Sequence, residues 1–442
     1  MSMNIGSQLV SKLGSPNSKI PLVAKDIFNC AGYTYFSYDA GGSIEGKDRL
    51  VDEVGTGAIW LFGIPAYKKL IDKTIFKKAG ISPEVDVRVI KDENYLKKAI
   101  ENAPTQDILK DLKKAGANIN KTKALTFVKF GLSIALTMLS YFGLTKFKQN
   151  MTKKNIEKEF LNKQLSQNNT LTPYNCENPV FSDFISPQET KNTPSFGSSK
   201  VTNLLESIVH NPINNMLVLD ACISGERLSN ARTKGEFAEY AIKEGSFLFF
   251  IYGADKLIRK GIESASEKFL KSPIKLDANF LSSELAEKVL TNNSLQEEIK
   301  EFSKKFGKNY DKTALYEYIF KNPNNTVIEA AKKSGIISTI KDGKIDTRKY
   351  IDLKQLQKLT DDLQTFINSS KNTKDIKSYI NKVKTLKVGS TILNIGICCL
   401  ALGYIVPKFM YEYRQKHQNG NSDFHVKTEY EKELKTKHAK TL

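Results

Sequence analysis

Two segments of this chain, residues 124–145 and 388–407, are apolar over the length needed to cross a bilayer, and each is introduced by the same hexad. The hexad reads Asn-Lys-x-Lys-x-Leu: Asn120-Lys121-Thr122-Lys123-Ala124-Leu125 and Asn381-Lys382-Val383-Lys384-Thr385-Leu386. About 20 apolar residues rising 1.5 Å each match a hydrocarbon core of about 30 Å, so the pattern predicts two transmembrane helices. Residues 388–407 carry no charge, and their Ile, Leu and Val content favours insertion by roughly 3–5 kcal/mol, offset in part by Asn394 and three glycines. Residues 124–145 contain Lys129, which would cost about 3 kcal/mol at the membrane centre. It lies close enough to the amino end for its stem to reach the interface beside Lys121 and Lys123.

Two further charge-free segments, 54–67 and 245–254, fall short of spanning length, in the range of re-entrant, interfacial or core helices. Each carries glycines eight apart, Gly55 with Gly63 and Gly245 with Gly253, which is about two helical turns. Gly389, Gly396 and Gly403 form a stripe at seven-residue spacing, and Gly131 with Ala135 forms another. Such small faces let helix backbones approach closely and are the candidate helix-packing sites, while Lys129 and Asn394 are the candidate intramembrane polar groups.

The halves share more than the hexad. Ile44-Glu45-Gly46-Lys47-Asp48-Arg49-Leu50 resembles Ile223-Ser224-Gly225-Glu226-Arg227-Leu228; Gly55-Thr56 matches Gly245-Ser246; Lys68-Lys69-Leu70-Ile71 matches Lys256-Leu257-Ile258-Arg259; and a Lys-Phe pair ends each long segment, at Lys146-Phe147 and Lys408-Phe409. Matches in one order point to duplication. The predicted fold class is therefore mainly α: a helical membrane protein with an internally duplicated unit of short apolar helix, basic loop and long transmembrane helix, and a mostly helical soluble insertion in the second half.

On this reading residues 1–53 form an N-terminal region with a short strand at 34–38 and a Gly-rich turn. Residues 54–147 are the first membrane unit, with loop 80–120 carrying a strand at 85–90, where valines alternate. Residues 148–200, rich in Asn, Gln, Ser, Thr and Pro, are a flexible linker. Residues 201–261 open the second unit, 262–380 are the helical soluble insertion, 381–410 the second long transmembrane helix, and 411–442 a charged tail. Within the insertion, helices are expected at 279–290, 294–306, 312–320, 326–334 with Gly335 as its C-terminal stop, and 353–367; Lys341-Asp342-Gly343 turns a hairpin over 337–345.

No catalytic constellation emerges. Gly41-Gly42-Ser43-Ile44-Glu45-Gly46-Lys47 fits part of a phosphate-binding loop, but Asp48 stands where a magnesium-binding hydroxyl is needed and would repel phosphate, so a glycine-rich turn into a helix is the better reading. Cys30, Cys176, Cys222, Cys398 and Cys399 have no paired spacing for a disulfide framework or zinc, and His210, His417, His425 and His438 form no metal-ligand motif. Asp26 with Cys30, and Asp220 with Cys222, lack an activating histidine nearby in sequence. The sequence thus predicts no enzyme activity, cofactor or metal. The formal charge of +19 is spread among acidic residues rather than gathered in a basic run, which argues against nucleic acid as a partner. Tyr33, Tyr35, Phe36 and Tyr38, and Tyr404, Phe409, Tyr411 and Tyr413, suit an interfacial aromatic belt, as do Tyr141, Phe142 and Phe147.

The expected partners are the lipid bilayer and, through helix faces or the soluble insertion, a second copy or another protein. The expected location is a bacterial cytoplasmic membrane, with no cleavable signal peptide among the first residues. A scaffold or interaction role leads; a small-solute transporter or pore, and a soluble or secreted helical protein that inserts into or remodels membranes, are the alternatives.

Overall fold

The computed structural model describes residues 20–167, 209, 212–270, 272–307, 310–371, 373–417 and 424–441. Most of the expected linker, with Cys176, and also His210, lie outside these residues. Among the described residues the fold is helical, with one isolated antiparallel bridge, Thr339 to Ile345, and no strand.

The chain divides into two compact units. The first comprises Met1–Tyr33, Gly57–Leu139 and Ile242–Met410; the second comprises Thr34–Thr56, Ser140–Ala241 and Tyr411–Leu442.

The expected strands are absent. Residues 34–38 are inside helix Ile20–Ala58, where Asn29, Tyr33 and Ser37 are buried at four-residue spacing, the period of a helix face rather than of a pleat. The helix breaks at Gly42 (φ 74°, ψ −169°), a backbone region that only glycine enters freely, so the glycine-rich run is a helix break and not a phosphate loop. Residues 85–90 also fail as a strand: Asp86 accepts from the Arg88 amide and starts helix Val87–Lys91. Val85, Val87, Val89 and Ile90 are all buried, so their alternation reports burial on every side and not one face of a sheet. The expected hairpin is present in minimal form: Gly343 takes φ 72°, the Ile340 amide donates to the Lys344 carbonyl and the Asp346 amide to the Ser338 carbonyl, each at 2.9 Å, and Thr339 bridges Ile345.

In the first unit the residues expected as loop 80–120 and those expected as insertion 262–380 share one hydrophobic core. Val89, Tyr95 and Leu112 from the first pack with Phe280, Leu315, Leu356 and Phe366 from the second. Tyr95 meets Tyr316 edge-on at 4.1 Å and donates its hydroxyl to the Lys349 carbonyl at 3.1 Å. Arg348 reaches Asp111 at 3.1 Å, and its carbonyl accepts from the Asp86 amide at 2.9 Å. Helices Gln106–Ala117, Asn293–Lys305, Lys312–Lys321, Thr326–Lys333 and Leu353–Ser370 open on Thr105, Asn292, Asp311, Asn325 and Asp352, whose side chains accept first-turn amides. Each such cap contributes about 1 kcal/mol.

The short apolar segments are parts of longer helices. Residues 43–79 and 234–270 are unbroken helical runs of equal length, and a π-helical stretch falls inside each apolar segment, at Ile59–Gly63 and Phe249–Ala254. The two hydropathic helices extend well past their apolar cores, as Ile119–Gln167 and as Ile376–Leu400 continued by a π segment, Ala401–Ile405, into Val406–His417. The supposed linker is therefore helical to Gln167, and the supposed tail supplies the end of Val406–His417 and a further helix, His425–Thr441.

Candidate functional site: a buried ionic cluster

The second unit holds its helices together with charge. After the Gly42 break, Glu45, Asp48, Arg49, Asp52 and Glu53 recur at helical spacing and are all buried. A second stripe, Glu236, Glu239 and Tyr240, lies on helix Lys234–Leu248.

Arg414 is the centre of the cluster. Its guanidinium is clamped by two carboxylates: Nη1 and Nη2 donate to Glu45 at 2.7 Å each, while Nε and Nη2 donate to Glu239 at 2.6 and 2.8 Å. The Tyr411 hydroxyl donates to Glu45 at 3.0 Å and lies 2.6 Å from Ser37 Oγ, and His425 Nε2 stands 3.2 Å from Glu239. A second clamp surrounds Arg232, whose guanidinium meets Asp48 at 3.1 and 3.2 Å and Glu236 at 2.6 Å. Thr152 also donates to Asp48. Lys148 donates to the Tyr240 hydroxyl at 2.7 Å and pairs with Asp52 at 3.5 Å, and Thr145 donates to Glu226 at 2.9 Å.

These contacts split the acidic groups. Burial raises the Glu45 carboxyl above its ordinary range, although Arg414 opposes the shift. Burial would raise Glu239 as well, but hydrogen bonds from His425 and Arg414 outweigh it and hold this carboxyl at about 2. Asp48 is lowered because the charges of Arg232 and Lys148 overcome its burial. Burial raises Glu226. Glu45, Glu239 and Asp48 each face a cation, the pattern expected of structural ion pairs.

None of this was read from the sequence. The detectable signal was charge at helical spacing, Glu45, Asp48 and Asp52, immediately before an apolar run, where a solvated face would be the usual explanation.

The candidates chosen from sequence are scattered. Lys129 pairs with Asp72 at 2.5 Å, and Asn394 donates to Asp255 at 2.9 Å, with Lys25 also on Asp255. Of the small residues, Gly403 is in intimate contact: a Cβ on Gly32 would lie 2.0 Å from the Gly403 carbonyl oxygen, so two helix backbones touch there. Gly55 faces Leu144, whose flexible side chain a Cβ would meet at 2.5 Å. Gly63 and Gly253 face side chains of their own helices, and Gly131, Gly245, Gly389 and Gly396 have open space where a Cβ would stand. Ala135 is exposed.

Cys30 lies 3.9 Å from Asp26 one turn away, and Cys398 stands 3.6 Å from Asn394; no group of His, Cys, Asp and Glu suited to a metal occurs among the described residues. The aromatic sets are divided too, since Tyr33, Tyr141 and Tyr411 are buried, whereas Tyr35, Phe142, Phe147, Tyr404 and Phe409 are exposed. Comparison with protein-family models, curated proteins and solved structures returns no match.

Proposed function

We propose that this is an integral membrane protein with a non-enzymatic scaffold or interaction role, built from two copies of a helical membrane unit. The observation that carries the membrane reading is an inversion of burial. The two helices long and apolar enough to cross a membrane, Ile119–Ser166 and Ile376–His417, bury 17% and 33% of their most apolar windows. A core helix of a water-soluble fold would bury most of that window. Here Val128, Leu132 and Leu139, and Ile392, Leu393 and Leu400, are exposed, a surface that lipid would cover. The short apolar segments join this layer as parts of helical runs 43–79 and 234–270, with Asp72 and Asp255 neutralised by Lys129 and Lys25.

Three correspondences support duplication. Lys121 donates to the Ala79 carbonyl at 3.3 Å and Lys382 to the Leu270 carbonyl at 3.2 Å, so the same hexad lysine caps the end of the preceding helical run in each half. Counting from the hexads, buried positions coincide: Thr122 with Val383, Ser133 with Asn394, Thr137 with Cys398, Tyr141 with Leu402. The second copy is one residue longer before its Lys-Phe pair, and the π segment Ala401–Ile405 lies in that interval; a π turn accommodates one extra residue. The equivalence of 43–79 with 234–270 sets Glu45 against Glu236 and Asp48 against Glu239. It does not use the likeness of residues 44–50 to 223–228, because the latter end a helix, Pro212–Ser229, that stops before 234.

Alkaline carbonate extraction of native membranes tests the reading. The protein is expected in the pellet and to be released only by detergent; recovery in the carbonate supernatant would refute it.

A further inference from the structure

We propose that the hexad ends of the two units form basic collars that bind the phosphate headgroups of anionic phospholipids, a proposal that rests on the membrane reading above. The hydrogen bond from Lys121 to Ala79 brings the hexad lysines Lys121 and Lys123 to the helix end that carries Lys77 and Lys78. In the second half, the bond from Lys382 to Leu270 brings Lys382 and Lys384 to the end that carries Lys268. Both collars are thus assembled by the same contact.

Three properties make these groups a headgroup site rather than ordinary solvated lysines. First, none of the seven takes part in an ion pair among the described residues, and no Asp or Glu occurs in residues 77–80, 121–125, 268–270 or 382–386. Three acids close to these segments in sequence are already committed: Asp72 to Lys129, Glu267 to Lys275, Glu263 to Lys387. Second, each collar adjoins apolar surface. Phe269 is 75% exposed beside Lys268, whose ammonium lies 5.5 Å from the ring centre, and Val128 and Ile392 open the bare faces of the long helices. A cation over an exposed ring at the edge of an apolar belt is suited to the headgroup layer. Third, the collar lysines contrast with Lys148 and Arg414, which are buried on Tyr240 and Asp52, and on Glu45 and Glu239. The proposal places the hexad ends, where these seven lysines gather, at an anionic leaflet.

The test uses the full chain reconstituted in vesicles of phosphatidylcholine with or without phosphatidylglycerol, and detergent-solubilised protein titrated with short-chain phosphatidylglycerol or phosphatidylcholine. Thermal stabilisation by the anionic lipid, weakened at least about tenfold in apparent affinity by K77Q/K78Q/K123Q/K384Q and by 0.5 M salt, is expected. Lys121 and Lys382 are retained so that the helix caps stay intact, and K304Q/K312Q/K341Q/K354Q, at four exposed lysines of the insertion, serves as a charge-matched control expected to leave the affinity unchanged. A carbonate-resistant protein that binds both lipids equally, or whose preference survives the collar substitutions, overturns the proposal and leaves the membrane reading standing. A protein that carbonate releases overturns both.

Discussion

The hydrophobic core of the first unit and the ionic cluster of the second solve the same problem, joining sequence-distant helices, with opposite chemistry. In the core, Tyr95, Phe280, Leu315, Leu356 and Phe366 exclude water and the polar work is done at the rim by helix caps. In the cluster, Arg414, Lys148, Glu45, Asp48 and Glu239 are themselves the interior. Apolar packing tolerates substitutions that keep volume, whereas a buried ion is tolerated only while its partner is in place. The difference makes the cluster the more register-sensitive joint: Glu45 and Glu239 must both reach one guanidinium.

The largest expected effect breaks that joint. Arg414→Ala leaves two buried carboxylates without their cation and should cost about 3–5 kcal/mol, seen as a lowered melting temperature in detergent. Replacing the set together, Arg414→Met with Glu45→Leu and Glu239→Leu, should recover most of that loss. In the core, Phe280→Ala should cost a similar about 3–5 kcal/mol through a cavity, and no second deletion nearby should restore it. If the triple variant is as unstable as Arg414→Ala, the contrast between the two regions fails.

Acid sharpens the comparison next. Glu239 is held at about 2, below its unfolded value near 4.3, so its contribution is present above the unfolded value and disappears as pH falls toward 2. Glu45 has the opposite sign, because its raised carboxyl favours the folded state when protonated and costs stability once ionised. Asp277, at the start of helix Ala278–Leu281 in the first unit, is pushed by burial to about 6, so it also costs stability as pH rises through that value. Asp277→Asn should therefore stabilise the protein by about 1–2 kcal/mol at pH 7.5 and by almost nothing at pH 4, measured by thermal melts at both values. A benefit that persists at pH 4 would mean that charge is not the cause.

How much of this was visible beforehand follows from what each signal measures. The long helices were legible because hydropathy and length are properties of one segment, and Gly335 was legible as a helix stop because its φ of 71° is a local demand. Val85 to Ile90 were misread because alternation cannot distinguish a pleated face from a helix buried all round. The union of the two insertions, and the clamp on Arg414, join residues hundreds of positions apart, and no local pattern encodes such a pairing. Lys121 and Lys382 were noticed for the right reason, their recurrence, but were assigned only to the membrane interface; their shared role as helix caps needed Ala79 and Leu270 to be placed.

That shared role yields the smallest predicted effect. Lys121→Met and Lys382→Met each remove one exposed cap, and each should cost a few tenths of a kcal/mol by detergent melts, equally in the two halves. A clear inequality would weaken the proposed repeat.

The central claim is that lipid, and not protein or water, covers the bare faces of the long helices. Nitroxide labels placed by Leu139→Cys, where the native side chain is 66% exposed, and by Leu393→Cys, with a surface control at Lys304→Cys, report this directly in proteoliposomes through collision with oxygen and with a water-soluble nickel chelate. The account predicts high oxygen and low nickel accessibility at Leu139 and Leu393, and the reverse at Lys304. High nickel accessibility at Leu139 and Leu393, or protection from both reagents, would contradict it.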